Sequence, residues 1–189
     1  IYSKHLWGIK IKYFILGTML SLVFAFIPLV IIIFLQDLPS PKQLNFQRSP
    51  LTTKIFDRNG TLLYQIYASQ NRTLIPLSSV PKSLRDATIA IEDKTFYKNS
   101  GVDFLAIVRA AVADLSGKPL QGASTITQQL IKSTLLTPEI TIQRKIKEII
   151  LAFWAQQIYT KAQILEMYFN QVPYGGTAWG IEAASEVYF

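Results

Sequence analysis

The sequence predicts a mainly α-helical domain with a small β-hairpin element, carried behind one N-terminal transmembrane helix. Three observations predict it. Residues 13–35 run 23 positions without a charge. Asn59-Gly60 stands between two β-prone runs, the pattern of a tight hairpin. From Ser79 onward, apolar residues recur at helical spacing.

Composition narrows the chemistry. A chain of 189 residues is long enough for one domain with a real core plus an appendage. It has no Cys, which excludes a disulfide framework and thiol catalysis. His5 is the only His and lies among the first few residues, which argues against a Ser-His-Asp triad and a His-ligated catalytic metal. The net charge is +7, and Lys4, Lys10 and Lys12 supply three of those charges. The other basic residues are dispersed and accompany no nucleic-acid-binding motif. An anionic membrane surface or a phosphate-bearing substrate fits the charge at least as well as nucleic acid.

Taken in order, residues 1–12 read as a cytoplasmic segment and YFILGTMLSLVFAFIPLVIIIFL, 13–35, as the transmembrane anchor. At about 1.5 Å per residue that helix is about 34 Å long, enough to cross a hydrocarbon core. Pro28 is tolerable in a membrane helix. The run is too long for a signal peptide, and no small-x-small cleavage site follows it. The N-terminal lysines favour a cytoplasmic N-terminus, a single pass through the plasma membrane and a main domain on its outer face. Pro39, Pro41 and Pro50 mark 36–52 as a linker. A hairpin element is expected over 53–76. Asp103 can cap a helix whose apolar positions are Phe104, Ile107, Val108, Ala111, Val112 and Leu115. Residues 104–120 serve equally as core or as a membrane contact. Pro138 suits the first turn of a helix carrying the stripe Ile142, Ile146, Ile149, Ile150 and Phe153. Thr160 with Gln163 forms a capping box for a helix over 161–170. Gly175, Gly176 and Gly180 break the stretch after it. The chain starts at Ile1, so a longer gene product is expected, and the folded domain, 53–189, is expected to be C-terminally incomplete.

Several residues could carry chemistry. Glu92 and Asp93 end an apolar helical run, and a carboxylate at the edge of an apolar wall becomes a better base when desolvation raises its pKa. The bland alternative is a solvated helix-end charge. Arg144 and Glu148 are spaced to pair along one helix face. Lys132 alone reads as a solvated charge, and Glu166 with Asn170 as hydrogen bonding between helices. The stretch QGASTITQQ, 121–129, is uncharged and rich in hydroxyls and amides, either a polar loop with a helix cap or a surface for an uncharged polar ligand.

The succession EDKTFYKNSGVD, QGASTITQQLIKS, RKIKE, KAQILEMYFN and YGGTAWGIEAASEVYF resembles the five motifs of the peptidoglycan glycosyltransferase domain. This is the family 51 glycosyltransferase module of bifunctional class A penicillin-binding proteins and of monofunctional cell-wall transglycosylases. The resemblance covers about residues 50–189. It implies a lysozyme-like, mostly α fold that polymerises lipid II into glycan strands by inverting transfer, releasing polyprenyl pyrophosphate. It implies that Glu92 is the catalytic base, with Glu148 the second catalytic carboxylate, orienting the site or donor. Lys132 would neutralise the pyrophosphate, helped by Arg144, Lys145 or a divalent cation (Mg or Mn). Asp93, Phe96, Ser124, Thr125, Thr127, Gln128 and Gln129 would bind substrate, while Lys161, Glu166 and Asn170 match a more structural motif. Implied partners are lipid II, the nascent strand, the plasma membrane and the cell-wall synthesis machinery.

The match departs from the family pattern at a few positions. Asn99 and Ser100 stand near a usual His, Ala123 replaces Gly, Ser133 replaces Asn, and Ile140 replaces a basic residue that helps hold pyrophosphate. Two rival readings follow: a lytic enzyme of the same superfamily, and a lipid II- or glycan-binding scaffold with a degenerate site.

Overall fold

The structure, a computed structural model, describes residues 2–44, 51–115, 122 and 124–189. The chain divides into two compact units, Ile1–Pro39 and Ser40–Phe189. The first is helix α1, Tyr2–Gln36. It includes residues 2–12 as well as the uncharged run, with Pro28 inside it. Its segment Lys10–Leu29 is long and apolar enough to cross a membrane, with mean hydropathy 1.8 and no residue buried within the protein.

The second unit is mainly helical, with two small hairpins. Its core is built by helices α4 (Ile126–Thr134), α5 (Ile142–Ile158) and α6 (Lys161–Gln171). Helix α4 packs on both of the others. Ile126, Leu130 and Ile131 from α4, Leu151 from α5, and Ile164 and Phe169 from α6 are all completely buried. Burying side chains of this size stabilises the fold by about 1.5–3 kcal/mol each.

Local chemistry starts these three helices. Thr160 and Gln163 form the predicted capping box, the Gln163 carboxamide accepting the Thr160 amide at 2.9 Å. Thr125 and Gln128 form another at the head of α4. Helix α5 departs from the prediction: Pro138 lies in the preceding loop, and Thr141 is the cap, accepting the Arg144 amide at 3.1 Å. A Thr hydroxyl satisfies an open amide, which a Pro ring cannot. The buried face of α5 also differs. It is Glu148, Leu151, Ala152 and Ala155, whereas Ile142 and Phe153 of the predicted stripe are 83% and 50% exposed. Ala152 lies against the Gly101 loop, and tertiary packing selected that face.

Helix α2 spans Lys82–Glu92 and α3 Phe104–Leu115. Asp103 caps α3 as predicted, accepting the Ala106 amide at 2.9 Å. Phe104, Leu105 and Val108 on α3 are exposed. The region 116–120 lies outside the described residues.

The predicted hairpin is β1 (Thr53–Phe56) antiparallel to β2 (Leu62–Ile66). Gly60 has φ +83° in its turn. The Asp57 carboxylate accepts the Thr61 and Asn59 amides at 2.7 and 2.8 Å, and the Thr61 amide does most to hold its pKa below the usual range. A second hairpin was not predicted: β3 (Pro173–Gly175) with β4 (Ala178–Trp179), followed by α7 (Ile181–Tyr188). Asn71 bridges to it, donating its amide to the Thr177 carbonyl at 2.8 Å and accepting from the Trp179 amide at 2.9 Å. Lys54 on β1 pairs with Glu186 on α7.

Residues 41–44, read from sequence as linker, form one 3-10 turn with Pro41 and Leu44 buried. The Leu44 carbonyl accepts the Gln171 amide group at 3.0 Å. The Glu166 and Asn170 side chains reach the segment before α2, Glu166 at the start of the 3-10 turn Leu77–Ser79. Glu166 accepts the Leu77 amide at 2.8 Å, and Asn170 accepts from Ile75 N at 2.9 Å and donates to Ile75 O at 2.8 Å.

Gly101 connects the α2–α3 loop to α5. Its φ is +90°, and a Cβ there would lie 2.5 Å from the Ala152 carbonyl oxygen. Gly101→Ala is expected to destabilise the domain by more than about 2 kcal/mol, from backbone strain and forced displacement together. Urea unfolding would measure it; a change under about 0.5 kcal/mol would refute the tight approach.

Candidate active site

Helix α2 ends with two carboxylates in opposite environments. Asp93 is 6% exposed, whereas Glu92 is exposed to solvent. Asp93 accepts the Ile126 amide at the head of α4 at 3.2 Å, the Thr95 hydroxyl at 3.1 Å, and the Asn99 carboxamide at 3.0 Å on both oxygens. An anion at a helix N-terminus is favoured by the open amides and their dipole. Glu92, one residue earlier, faces outward and accepts Gln129 Nε2 at 2.7 Å. The desolvation expected for Glu92 is therefore not found: the helix end that buries Asp93 turns its neighbour into the open.

Glu92 borders two adjoining clefts. The larger, about 860 Å³, is lined by Ser124, Gln129 and Lys132, by Glu148, and by Tyr168, Tyr174 and Trp179. The smaller, about 480 Å³, is lined by Asp93, Lys94, Thr95, Asp103 and Arg109. Ile91, Glu92, Gly122 and Ser124 line both.

Lys132 lies in the last turn of α4, exposed, and has no carboxylate partner among the described residues. Glu148 is 1% exposed and holds two cations. Arg144 Nη1 donates to one of its oxygens at 3.1 Å, and Lys145 pairs with the other. Lys145 also donates to Ser124 Oγ at 2.8 Å. Arg144 and Lys145 thus support the wall that carries Ser124 and Glu148. Ile140 is 95% exposed in the loop before α5 and does not line the cleft.

The hydroxyl and amide stretch divides in two. Ser124 and Gln129 reach the larger cleft. Thr125, Thr127 and Gln128 are 2%, 0% and 0% exposed and bond inside the fold, although Thr125 also borders the smaller cleft. Thr125 Oγ1 donates to the Gly101 carbonyl at 2.6 Å, and Thr127 Oγ1 accepts Gln156 Nε2 at 2.8 Å. Gln128 Oε1 accepts the Thr125 amide at 2.9 Å. Gln121 and Ala123 lie outside the described residues. Phe96, expected to touch substrate, is completely buried beneath the Lys161 ammonium, which lies 4.8 Å from its ring centroid. Helical and loop geometry sends only some of these side chains toward solvent.

Three lining aromatics were missed. Tyr168 donates its hydroxyl to Gln129 Oε1 at 3.2 Å. Burial, with the nearby Glu92 charge, pushes its pKa up to about 12. Burial also pushes the Tyr174 hydroxyl upward. Trp179 lies under the Arg72 guanidinium, 5.2 Å from the ring centroid. Their signal in the sequence is the aromatic content of MYFNQVPYGGTAW, which reads equally well as core.

Residues 59–189 match the family model for transglycosylases. The chain belongs to the transglycosylase family. Penicillin-binding protein 1A of Rickettsia bellii is 44% identical to it over 164 residues, which cover 85% of this chain and 21% of that protein. For penicillin-binding protein 1A of Aquifex aeolicus the identity is 39% over 176 residues, 93% of this chain and 24% of that one. For penicillin-binding protein 1A of Escherichia coli it is 44% over 154 residues, 81% and 18%. The chain thus spans about a fifth of the length of these relatives. The transglycosylase match includes every candidate residue described above.

Removing the buried Glu148 carboxylate would leave Arg144 and Lys145 without their shared counter-charge. Glu148→Ala is expected to destabilise this transglycosylase unit by about 3 kcal/mol, and Glu148→Gln by less, because it keeps an acceptor. Chemical denaturation would measure both, and equal stability of the parent and Glu148→Ala would refute the clamp.

Proposed function

We propose that this chain is a membrane-anchored peptidoglycan glycosyltransferase that polymerises lipid II into glycan strands with release of polyprenyl pyrophosphate. The observation that carries the reading is the position of Glu92 on the shared border of two clefts. Joining two sugar units requires two sites that meet at the reacting atoms, with a base between them. Membership of the transglycosylase family supports the same reaction class.

In this mechanism the growing strand, linked to its lipid through pyrophosphate, lies in the larger cleft beside Lys132. The incoming lipid II occupies the smaller one. Glu92 removes the proton from the acceptor's 4-hydroxyl as that oxygen attacks the donor's anomeric carbon. The anomeric bond to pyrophosphate breaks with inversion. General-base assistance of this kind contributes about 10²–10⁴-fold. Lys132 stabilises the negative charge developing on the leaving pyrophosphate. Glu148 is a positioning residue, holding Lys145 against Ser124. Ser124 and Gln129 provide neutral hydrogen-bonding groups for sugar hydroxyls and N-acetyl groups.

A divalent cation, Mg or Mn, is the one cofactor the reaction could use. Among the described residues no three His, Cys, Asp or Glu side chains converge to hold one. A cation of this kind would be held chiefly by pyrophosphate oxygens and water, and the mechanism routes no step through it.

Helix α1 serves as the anchor in the plasma membrane, with its N-terminus in the cytoplasm and the catalytic unit on the outer face. The apolar segment Lys10–Leu29 supports anchoring, and the lysines at its N-terminal side support the orientation. The exposed Phe104, Leu105 and Val108 of α3 suit a lipid-adjacent surface. Other proteins of cell-wall synthesis complete the proposed partners.

The test is polymerisation of labelled lipid II in vesicles by the whole chain, resolved by product length on a gel. The unmodified chain is expected to give a ladder that Glu92→Gln abolishes. A folded parent that binds lipid II without extending it would favour the scaffold reading, and cleavage of preformed glycan would favour the lytic one. Lys132→Ala is expected to cut turnover at least 10-fold, an order-of-magnitude figure for one lost transition-state charge contact, without changing the melting temperature. A normal rate in that variant would remove Lys132 from the leaving-group step.

A further inference from the structure

We propose that Tyr168 is a positioning residue for Glu92, acting through the carboxamide of Gln129; this rests on the reading of Glu92 as the base. The hydrogen-bond chain runs from Tyr168 Oη to Gln129 Oε1, 3.2 Å, and from Gln129 Nε2 to Glu92 Oε2, 2.7 Å. Proton counting fixes its direction. An ionised carboxylate has no proton to give, so the NH2 end of Gln129 must face Glu92. That leaves Oε1, which only accepts, so the tyrosine hydroxyl must donate.

The chain ties an exposed side chain to the core. Glu92 is exposed, and a glutamate has several rotatable bonds whose freedom opposes a single aim. Gln129 projects from α4, and Tyr168 from the buried part of α6, where it is 6% exposed and its ring meets Phe169 edge-on at 5.9 Å. Burial beside the Glu92 charge keeps the Tyr168 proton in place throughout the neutral range. Without that hydroxyl the Gln129 carboxamide is free to turn over. Its oxygen would then face the Glu92 carboxylate, two acceptors together, and the base would lose its fixed direction. A misdirected base lowers the rate of a bound complex more than it lowers binding.

The experiment is a double-mutant cycle on the whole chain in lipid II-containing vesicles, with kcat, KM and melting temperature measured for Tyr168→Phe, Gln129→Ala and the double variant. Tyr168→Phe keeps the packed ring and should lower kcat roughly 3- to 10-fold, the value of one neutral hydrogen bond, with little change in KM. Gln129→Ala should lower kcat roughly 10- to 100-fold, because it removes the bond to the charged group. The double variant should match Gln129→Ala alone, since the hydroxyl then has nothing to orient. Losses that multiply in the double variant, or a change confined to KM, would make Tyr168 a direct substrate contact and overturn the relay. So would a parental kcat in Gln129→Ala, or a melting temperature lowered by more than about 10 °C in Tyr168→Phe. A parent that makes no glycan refutes the function reading itself, and the role of Tyr168 with it; an active parent whose Tyr168→Phe variant is equally fast refutes only the relay.

Discussion

Asp93 ends α2 with a carboxylate that is 6% exposed and surrounded by donors from three residues: the Ile126 amide, the Thr95 hydroxyl and the Asn99 carboxamide. A buried anion without such donors is costly, so this arrangement holds as a set. One of the donors is the first amide of α4, so the carboxylate joins the end of one helix to the beginning of another. The rest of the site follows from that junction. Glu92 has to leave the helix end in the opposite direction, and Gln129, one turn into α4, lies within reach of it. The Thr125 hydroxyl strengthens the same junction by donating to Gly101 at 2.6 Å.

Asn99 connects Asp93 to the Gly101 loop and to Lys161. Its carboxamide donates to both oxygens of Asp93, while its own oxygen accepts the Gly101 amide at 3.0 Å and the Lys161 ammonium at 3.2 Å. A side chain with both a donor and an acceptor end suits this position, between an anion and two donors. Lys161 also donates to the Asn99 carbonyl at 2.7 Å. Desolvation holds its pKa below the usual lysine range, with the Asp93 charge opposing that shift. Burial of Lys161 thus stays coupled to the same loop.

The charges of α4 and α5 are divided by burial. Glu148 engages Arg144 and Lys145 inside the wall, where a pair is favoured because neither partner could be buried alone. Lys132 remains open to the cleft. Of Lys132, Arg144 and Lys145, the latter two engage Glu148 in the wall, and Lys132 stays exposed at the cleft. Ile140 points to solvent and takes no part in this division.

Much of the architecture was legible in the chain because it depends on neighbours close in sequence. The uncharged run determined a long apolar helix, Asn59-Gly60 determined the first hairpin, and Thr160 with Gln163 and Asp103 determined where two helices start, each by satisfying amides a few residues away. Glu92, Ser124, Gln129 and Lys132, singled out from ordered motifs, line one cleft. The tertiary structure decided which side chains of a motif face outward. Thr125, Thr127, Gln128 and Phe96 are turned inward by the rotation of α4 and by the loop that packs against it. It also decided which face of α5 is buried: Glu148, Leu151, Ala152 and Ala155 and not the whole isoleucine stripe. Finally, it brought Tyr168 to Gln129 across 39 positions of sequence. No local pattern encodes that contact, because it exists only once α4 and α6 have packed together.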